Sequence, residues 1–251
     1  MSKHDEKSVI IYTDGASRGN PGPGGWGAVL IVPRSDMRKV FELGGHEDTT
    51  TNNRMELAGL DGALDKAADF DLETGNAPIV VHTDSAYTIN AITKWIYGWQ
   101  KNGWKTTAGE PVANREILES IFEKLVRLKL RHEITFTKVS GHSGVVLNER
   151  ADDIATGFAD SSHPLLFTGS FTDYEKLLSQ MKPKPKTAAS KKSSSAKAYS
   201  YVSLVGGAIH VDKSWPDCEK RVKGVAGARF QKSLSPEDEQ ELIGRFTLES
   251  L

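Results

Sequence analysis

The amino-acid sequence predicts an α/β protein, a mixed sheet with helices on its faces, followed by a small α+β domain. Three observations predict it. Two short apolar, β-branched runs each stop on an aspartate, "VIIYTDG" at Asp14 and "APIVVHTDS" at Asp84, as buried strands do when they deliver polar groups at their ends. Strand-like patterning in the first 45 residues gives way to helical periodicity and then to alternating strand and helix. The stretch "MKPKPKTAASKKSSSAKAYS", rich in Lys, Ser, Ala and Pro, has almost nothing to bury and reads as a linker.

The elements follow in order. Residues 8–13 form a strand, and 25–32 and 39–45 alternate as its antiparallel neighbours, with Pro33 and Ser35-Asp36 marking the turn between them. From Asn53 the period changes. Met55, Leu57, Leu60, Ala63 and Leu64 fall on a helix face, and the strand ending at Asp84 comes next. Leu118, Ile121, Phe122, Leu125 and Leu128 give a second amphipathic helix within 114–131. "EITFTKVSG" gives the last strand of this part, "NERADDIATGFA" a further helix, and 173–181 a short one. Beyond the linker, "YSYVSLVGGAIHVDKSW" reads as a hairpin turning at Gly206-Gly207. "SPEDEQELIGRF" reads as a helix with Ser235 as N-cap and Pro236 at its first position. The division expected is a tail over 1–8, a catalytic domain over 9–160, an extension and linker over 161–199, and a small domain over 200–247, near the lower size limit for independent folding.

Composition narrows the chemistry. The chain has 251 residues, 38% of them hydrophobic, which is ordinary for a globular protein. Its N-terminus has no apolar signal-peptide core, and no run of about 18 apolar residues occurs, so a cytoplasmic protein without a membrane partner is expected. Cys218 is the one cysteine, which excludes an internal disulfide and any cysteine-based metal cluster. A metal would be held by oxygen or imidazole. The net charge of −1 is uneven, because residues 181–200 carry six lysines and no acid, leaving the remainder acidic.

Four acids need weighing together: Asp14 and Asp84 at strand ends, and Glu56 and Asp152 on helices able to cover them. Taken singly, the aspartates at strand ends read as turn residues and the other two as solvated helix surface. The glycine-rich "RGNPGPGG" after Asp14 raises a phosphate-cradling loop as an alternative, but the Lys-Ser/Thr ending of a P-loop is absent. Further along, "ITKWIYGWQKNGWKT" interleaves Trp95, Trp99 and Trp104 with Lys94, Lys101 and Lys105. Lysines attract phosphates and aromatic faces stack on sugars and bases, while a small aromatic core under a helix pair is the competing reading for Trp104.

"YTDGASRGNPGPGGWG", "TTNNRMEL", "TDSAYTINAITKWIYGWQKNGWKT" and "SGHSGVVLNERADDIA" resemble, in order and spacing, the motifs of type 1 ribonuclease H over residues 9–160. The resemblance implies the ribonuclease H-like fold, with a five-stranded mixed sheet flanked by helices. It implies endonucleolytic hydrolysis of the RNA strand of RNA–DNA hybrids by two-metal-ion catalysis, leaving 3′-hydroxyl and 5′-phosphate ends. It makes Asp14, Glu56, Asp84 and Asp152 the ligands of two Mg²⁺ ions, with Mn²⁺ as a substitute, and His142 a mobile catalytic histidine. Asp153 is the decoy beside Asp152. Ser17, Gly19, Asn20, Asn52 and Asn53 fall beside the RNA strand, where amides and backbone can meet 2′-hydroxyls. Thr51, Tyr87, Trp95, Trp99 and Asn114 fall around the DNA sugar and a phosphate, with Lys101 and Lys105 in the basic protrusion that grips that strand. Ala86 departs from the longer side chain that relatives often carry. A transposase-like member of the same superfamily would lack "GHSG" and the protrusion. A non-catalytic hybrid-binding protein would be expected to lack one of the acids.

The last segment, with Trp215, Cys218 and "GARFQK", resembles the small hybrid-binding domain that many eukaryotic ribonucleases H carry at the opposite end. Trp215, Phe230 and Lys232 are its implied contacts. Gln231 replaces a basic residue and the hairpin lacks the usual cations, which weakens the implied affinity. A module used for folding or partner contact is the alternative. The chain is expected to act as a monomer on RNA–DNA hybrid.

Overall fold

The computed structural model describes residues 7–106, 109–139, 145–181, 198–225 and 227–249. By contacts they form two compact units, one within 1–96 and 114–189, the other within 97–113 and 190–251. The Lys/Ser-rich linker expected from the sequence lies, but for its ends, outside the described residues.

In the first unit, β1 (Val9–Ser17) pairs antiparallel with β2 (Gly22–Pro33), which pairs antiparallel with β3 (Arg38–Thr50). Helix α1 (Asn52–Ala68) and the short α2 (Asp71–Thr74) lead to β4 (Ile79–Thr83), parallel to β1 with Tyr12 opposite His82. Then come α3 (Ala86–Asn90) and a π-helical turn at Ala91–Trp95; the chain next runs into α4 (Ile96–Lys101), of which Tyr97–Lys101 belong to the second unit, and returns to the first with α5 (Arg115–Leu128) and β5 (Ile134–Lys138), parallel to β4. Helix α6 (Val146–Ala159), the short β6 (Thr168–Ser170) and α7 (Phe171–Gln180) complete the unit.

The strand order is β5-β4-β1-β2-β3-β6. The five expected strands form a mixed sheet, to which β6 adds three residues at the edge of β3. β1 lies in the middle, covered on both faces, which accounts for its near-continuous apolar run. On one face Ile10, Val29, Ile31 and Val40 pack with Ala151 and Ile154 of α6 and Tyr174 of α7.

That core holds one buried charge cluster. The side chain of Glu42, on β3, is wholly buried. Arg150 of α6 meets it as a fork, Nε to Oε1 at 2.6 Å and Nη2 to Oε2 at 2.7 Å. The Tyr174 hydroxyl donates to Oε1 at 2.7 Å and the Phe167 amide to Oε2 at 2.9 Å. Burial alone would push the Glu42 carboxyl up, but the donors from Arg150, Tyr174 and Phe167 together hold it below its ordinary value of 4.5.

In the second unit β7 (Ser200–Val205) lies between β8 (Ala208–Asp212) and β9 (Arg229–Ser233), with α8 (Trp215–Val222) and α9 (Pro236–Glu249). The β7–β8 hairpin turns at Gly206-Gly207, and the Ser235 hydroxyl caps α9 by accepting from the Asp238 amide at 3.2 Å, both as expected. Val202, Leu204, Leu242, Ile243 and Phe246 form its core. Among the described residues no helix is long and apolar enough to cross a membrane.

Because folding lowers the pKa of Glu42, its contribution is fully present above 4.5 and is lost as pH falls through the lower folded-state value. Glu42→Gln should therefore lower stability at pH 7 by about 3 kcal/mol, the cost of stranding half of a buried ion pair. It should also flatten the acid limb of stability against pH. Chemical denaturation of both proteins between pH 3 and 7 checks this, and parallel acid limbs would contradict it.

Candidate active site and nucleic-acid interface

Asp14 stands near the C-terminal end of β1, and Asp84 directly follows the parallel β4. Parallel neighbours end on the same side of a sheet, so the two carboxylates leave it together. Asp14 pairs with Gly27 of β2. A Cβ on Gly27 would meet the Ala151 carbonyl oxygen at 2.3 Å, so α6 lies directly against this pair. That close approach puts Asp152, next along α6, on the Asp14 side. One residue on, a Cβ on Gly15 would meet the Glu56 amide nitrogen at 2.2 Å. Helix α1 thus touches β1 backbone to backbone on the opposite face. The two glycines let helices from both faces bring their acids to one strand end.

Asp14 is nine-tenths buried, and its carboxylate accepts from the Gly15 amide at 2.7 Å. Its pKa is pushed well above the usual carboxylate value, first by burial and then by the charges of Asp84, Glu56 and Asp152. The Gly15 N–H only partly offsets these effects. The other three sequence-selected acids therefore all bear on Asp14. Among the described residues no three Asp, Glu, His or Cys side chains are already closed around one point. Glu56 is turned by hydrogen bonds, accepting from Asn52 Nδ2 at 2.9 Å and from the Ser85 hydroxyl, and Asp152 accepts from the Thr156 hydroxyl at 3.3 Å.

Two residues at this site were missed in the sequence. Ser85 caps α3, its hydroxyl accepting from the Thr88 amide at 3.0 Å, while also holding Glu56. The cap was legible in "DSAYT", but its second partner lies 29 residues away. Arg18, in the β1–β2 loop, grips Asp160 just past α6 with Nε at 2.5 Å and Nη2 at 2.7 Å, and feels the charge of Asp152. Nothing local in the sequence pairs positions 18 and 160.

Several positions expected to touch nucleic acid are also structural. Ser17 ends β1, and Gly19 and Asn20 lie in the loop that follows, where the Asn20 side-chain oxygen accepts from the Asn52 amide at 3.2 Å. Thr51 caps α1, accepting from the Arg54 amide at 3.3 Å, and Asn53 is buried. Tyr87 is buried, with its ring edge-on to half-buried Trp95 at 6.1 Å. Trp99 is half-buried, and Lys101 and Lys105 are exposed. Trp104 is buried, as its core reading required. Asn114 precedes α5 in the left-handed conformation with φ 55°. His142 lies outside the described residues. In the second unit Trp215 packs between Tyr201 and Phe230, with ring centroids 5.4 and 5.1 Å away. Phe230 is half-exposed, Lys232 is partly exposed, and Gln231 accepts from Arg245 at 2.5 Å.

The RNase H family profile matches residues 6–159. A ribonuclease H of Ruegeria sp. (strain TM1040) is 48% identical over 148 residues, 59% of this chain and 88% of that protein. One from Alcanivorax borkumensis is 48% identical over 160 residues, 62% of this chain and 95% of that protein. Among solved structures, LC9-RNase H1, described as a type 1 RNase H with the type 2 active-site motif, aligns with a TM-score of 0.51 at 25% identity. The alignment covers 72% of this chain and 88% of LC9-RNase H1. The foamy viral protease-reverse transcriptase, solved in complex with RNA/DNA hybrid, aligns with a TM-score of 0.51 at 21% identity over 64% of this chain and 21% of its own, a likeness of fold alone.

The crowding of acids around Asp14 is a cost to the fold when no cation balances it. In a chelator at pH 7.5, Asp14→Asn should raise the melting temperature, by roughly 2–4 °C for each ~1 kcal/mol of repulsion and desolvation relieved. Differential scanning calorimetry reads it, and a lower melting temperature would refute the crowding.

Proposed function

The chain belongs to the ribonuclease H family, and we propose that it cuts the RNA strand of RNA–DNA hybrids endonucleolytically at Asp14, leaving 3′-hydroxyl and 5′-phosphate ends. The observation that carries this reading is the convergence on buried Asp14 of Asp84 from the end of parallel β4, Glu56 from α1 and Asp152 from α6. Buried acids with too little compensation fit hard divalent cations, which take oxygen ligands. Asp14, Glu56, Asp84 and Asp152 would hold two Mg²⁺ ions, with Mn²⁺ able to replace them. When bound, such ions activate water and balance the charge that develops on the phosphate and on the leaving 3′-oxygen.

The chain's own residues supply the rest. Asn52 and Ser85 orient Glu56 through their hydrogen bonds, and Asn20 ties the loop after β1 to the start of α1. Ser17, Gly19, Asn20 and Asn52 face the RNA strand and read its 2′-hydroxyls, with Asn53 buried beside Asn52 at the start of α1. Thr51, Trp95, Trp99 and Asn114 hold the DNA sugar and a phosphate, with buried Tyr87 supporting Trp95 edge-on, and Lys101 and Lys105 add salt-dependent attraction. His142 moves a proton to the leaving group or eases product departure, a role suited to imidazole near neutral pH. Residues 9–160 carry the chemistry. The domain at 200–247 tethers the substrate, stacking through Trp215 and Phe230 beside Lys232. The protein works as a monomer in the cytoplasm.

Cleavage of a labelled RNA–DNA hybrid, beside RNA–RNA and DNA–DNA duplexes and with and without Mg²⁺, tests this. Wild type should cut the hybrid alone, only with Mg²⁺, and Asp14→Asn should lose on the order of 10³-fold or more in rate. Trp215→Ala should weaken hybrid binding roughly 10-fold, in the range of one lost stacking contact, with the turnover rate unchanged. A folded wild type that binds hybrid without cutting it would instead make the chain a non-catalytic hybrid-binding protein.

A further inference from the structure

The family profile ends at residue 159, yet the buried carboxylate of Glu42 is completed by residues beyond it. Of its four side-chain hydrogen bonds, two come from Arg150, one from the Tyr174 hydroxyl and one from the Phe167 amide. The Phe167 carbonyl in turn accepts from the Glu42 amide at 2.8 Å, and the Leu165 carbonyl accepts from Arg150 Nη2 at 3.2 Å. A wholly buried carboxylate tolerates no missing donor. The segment is also fixed independently. β6 pairs with β3, the Arg38 guanidinium lies 3.8 Å over the Phe171 ring, and Tyr174 is fully buried against Ile154 and its neighbours.

Arg150 and Asp152 share α6 two residues apart, so their side chains leave the helix about 200° from one another. The Arg150 fork therefore acts as a lever on the far side of the helix axis from Asp152. At the other end of α6, Arg18 grips Asp160, and His46 Nδ1 donates to the Phe158 carbonyl at 2.8 Å. Close contacts at Gly25 and Gly27 fix how near α6 lies to the sheet, and Ile154 packs into the core beneath it, while the Arg150 fork adds a directional restraint close to Asp152 in sequence. A roll of about 10° would carry a carboxylate some 5 Å from the axis through about 0.9 Å. A displacement near 1 Å at a reacting centre can cost about 100-fold in rate.

We infer that Glu42 and Tyr174 are positioning residues for Asp152, and that residues 165–178 belong to the catalytic unit as the outer wall of its helix clamp. The inference rests on the ribonuclease H reading of the Asp14 site. Tyr174→Phe is its probe, since it removes one hydroxyl and keeps the ring that packs the core. In the full-length chain, assayed well below its melting temperature, Tyr174→Phe should lower kcat by 3- to 10-fold with KM for hybrid unchanged. It should also raise the Mg²⁺ midpoint several-fold. Independently of turnover, the rise in melting temperature on adding Mg²⁺ should be smaller than in wild type. An Ile79→Val variant, in the core away from α6, is the control for a general loss of stability and should leave kcat and the Mg²⁺ midpoint unchanged. If Tyr174→Phe melts lower but keeps wild-type kcat, Mg²⁺ midpoint and Mg²⁺-induced shift, the network is merely structural and the inference is overturned. If wild type itself cuts no hybrid, the functional reading fails, and the Mg²⁺-induced shift alone decides the positioning.

Discussion

Everything in the first unit answers one electrostatic constraint: a buried aspartate on the central strand surrounded by three more carboxylates. Burial and like charge both oppose ionisation, so the arrangement is unfavourable in itself and persists only because stronger packing imposes it. That packing is backbone against backbone. Gly15 admits α1 on one face and Gly27 admits α6 on the other, and these two helices bring Glu56 and Asp152. The parallel β1–β4 pair brings Asp84. The acids converge because the fold underneath leaves them no other place.

Orientation is then a matter of hydrogen bonds between distant segments. Glu56 is held from its own helix by Asn52 and from the next strand end by Ser85. Helix α6 is held at three points, at Arg150, at the carbonyl of Phe158 and at Asp160. The partners come from β3, from the β1–β2 loop and from the segment after α6. The buried Glu42 cluster thus belongs to the same design as the exposed Arg18 pair, with different strength. The first is wholly desolvated and intolerant of loss, while the second is half-exposed and screened by water.

The second unit solves a smaller problem with a different economy of means. Its core is two strand residues and three helix residues, supported by buried serines such as Ser200 and Ser233, whose hydroxyls meet at 2.6 Å. Three of its other aromatic rings lie in a row, Trp215 between Tyr201 and a half-exposed Phe230. The Phe230 ring lies half open to solvent on the same strand as partly exposed Lys232, which is the surface the proposed tether would use.

The sequence by itself determined a great deal. Strand runs ending at Asp14 and Asp84, the helical period from Met55 to Leu64 and the cap at Ser235 each encode their element locally, because hydrophobic period and capping chemistry act over a few residues. The four acids were legible as well, through motifs whose spacing is fixed by the elements that carry them. Other features were decided only by tertiary structure. Ser85 as a partner of Glu56, Arg18 with Asp160, the short β6 and the Glu42–Arg150–Tyr174 cluster all depend on residues 29 to 142 positions apart. No local pattern records such a pairing, since a charged residue in a strand looks the same whether it meets water or a buried arginine. Only closing the sheet against its helices removes the water and makes the partner necessary.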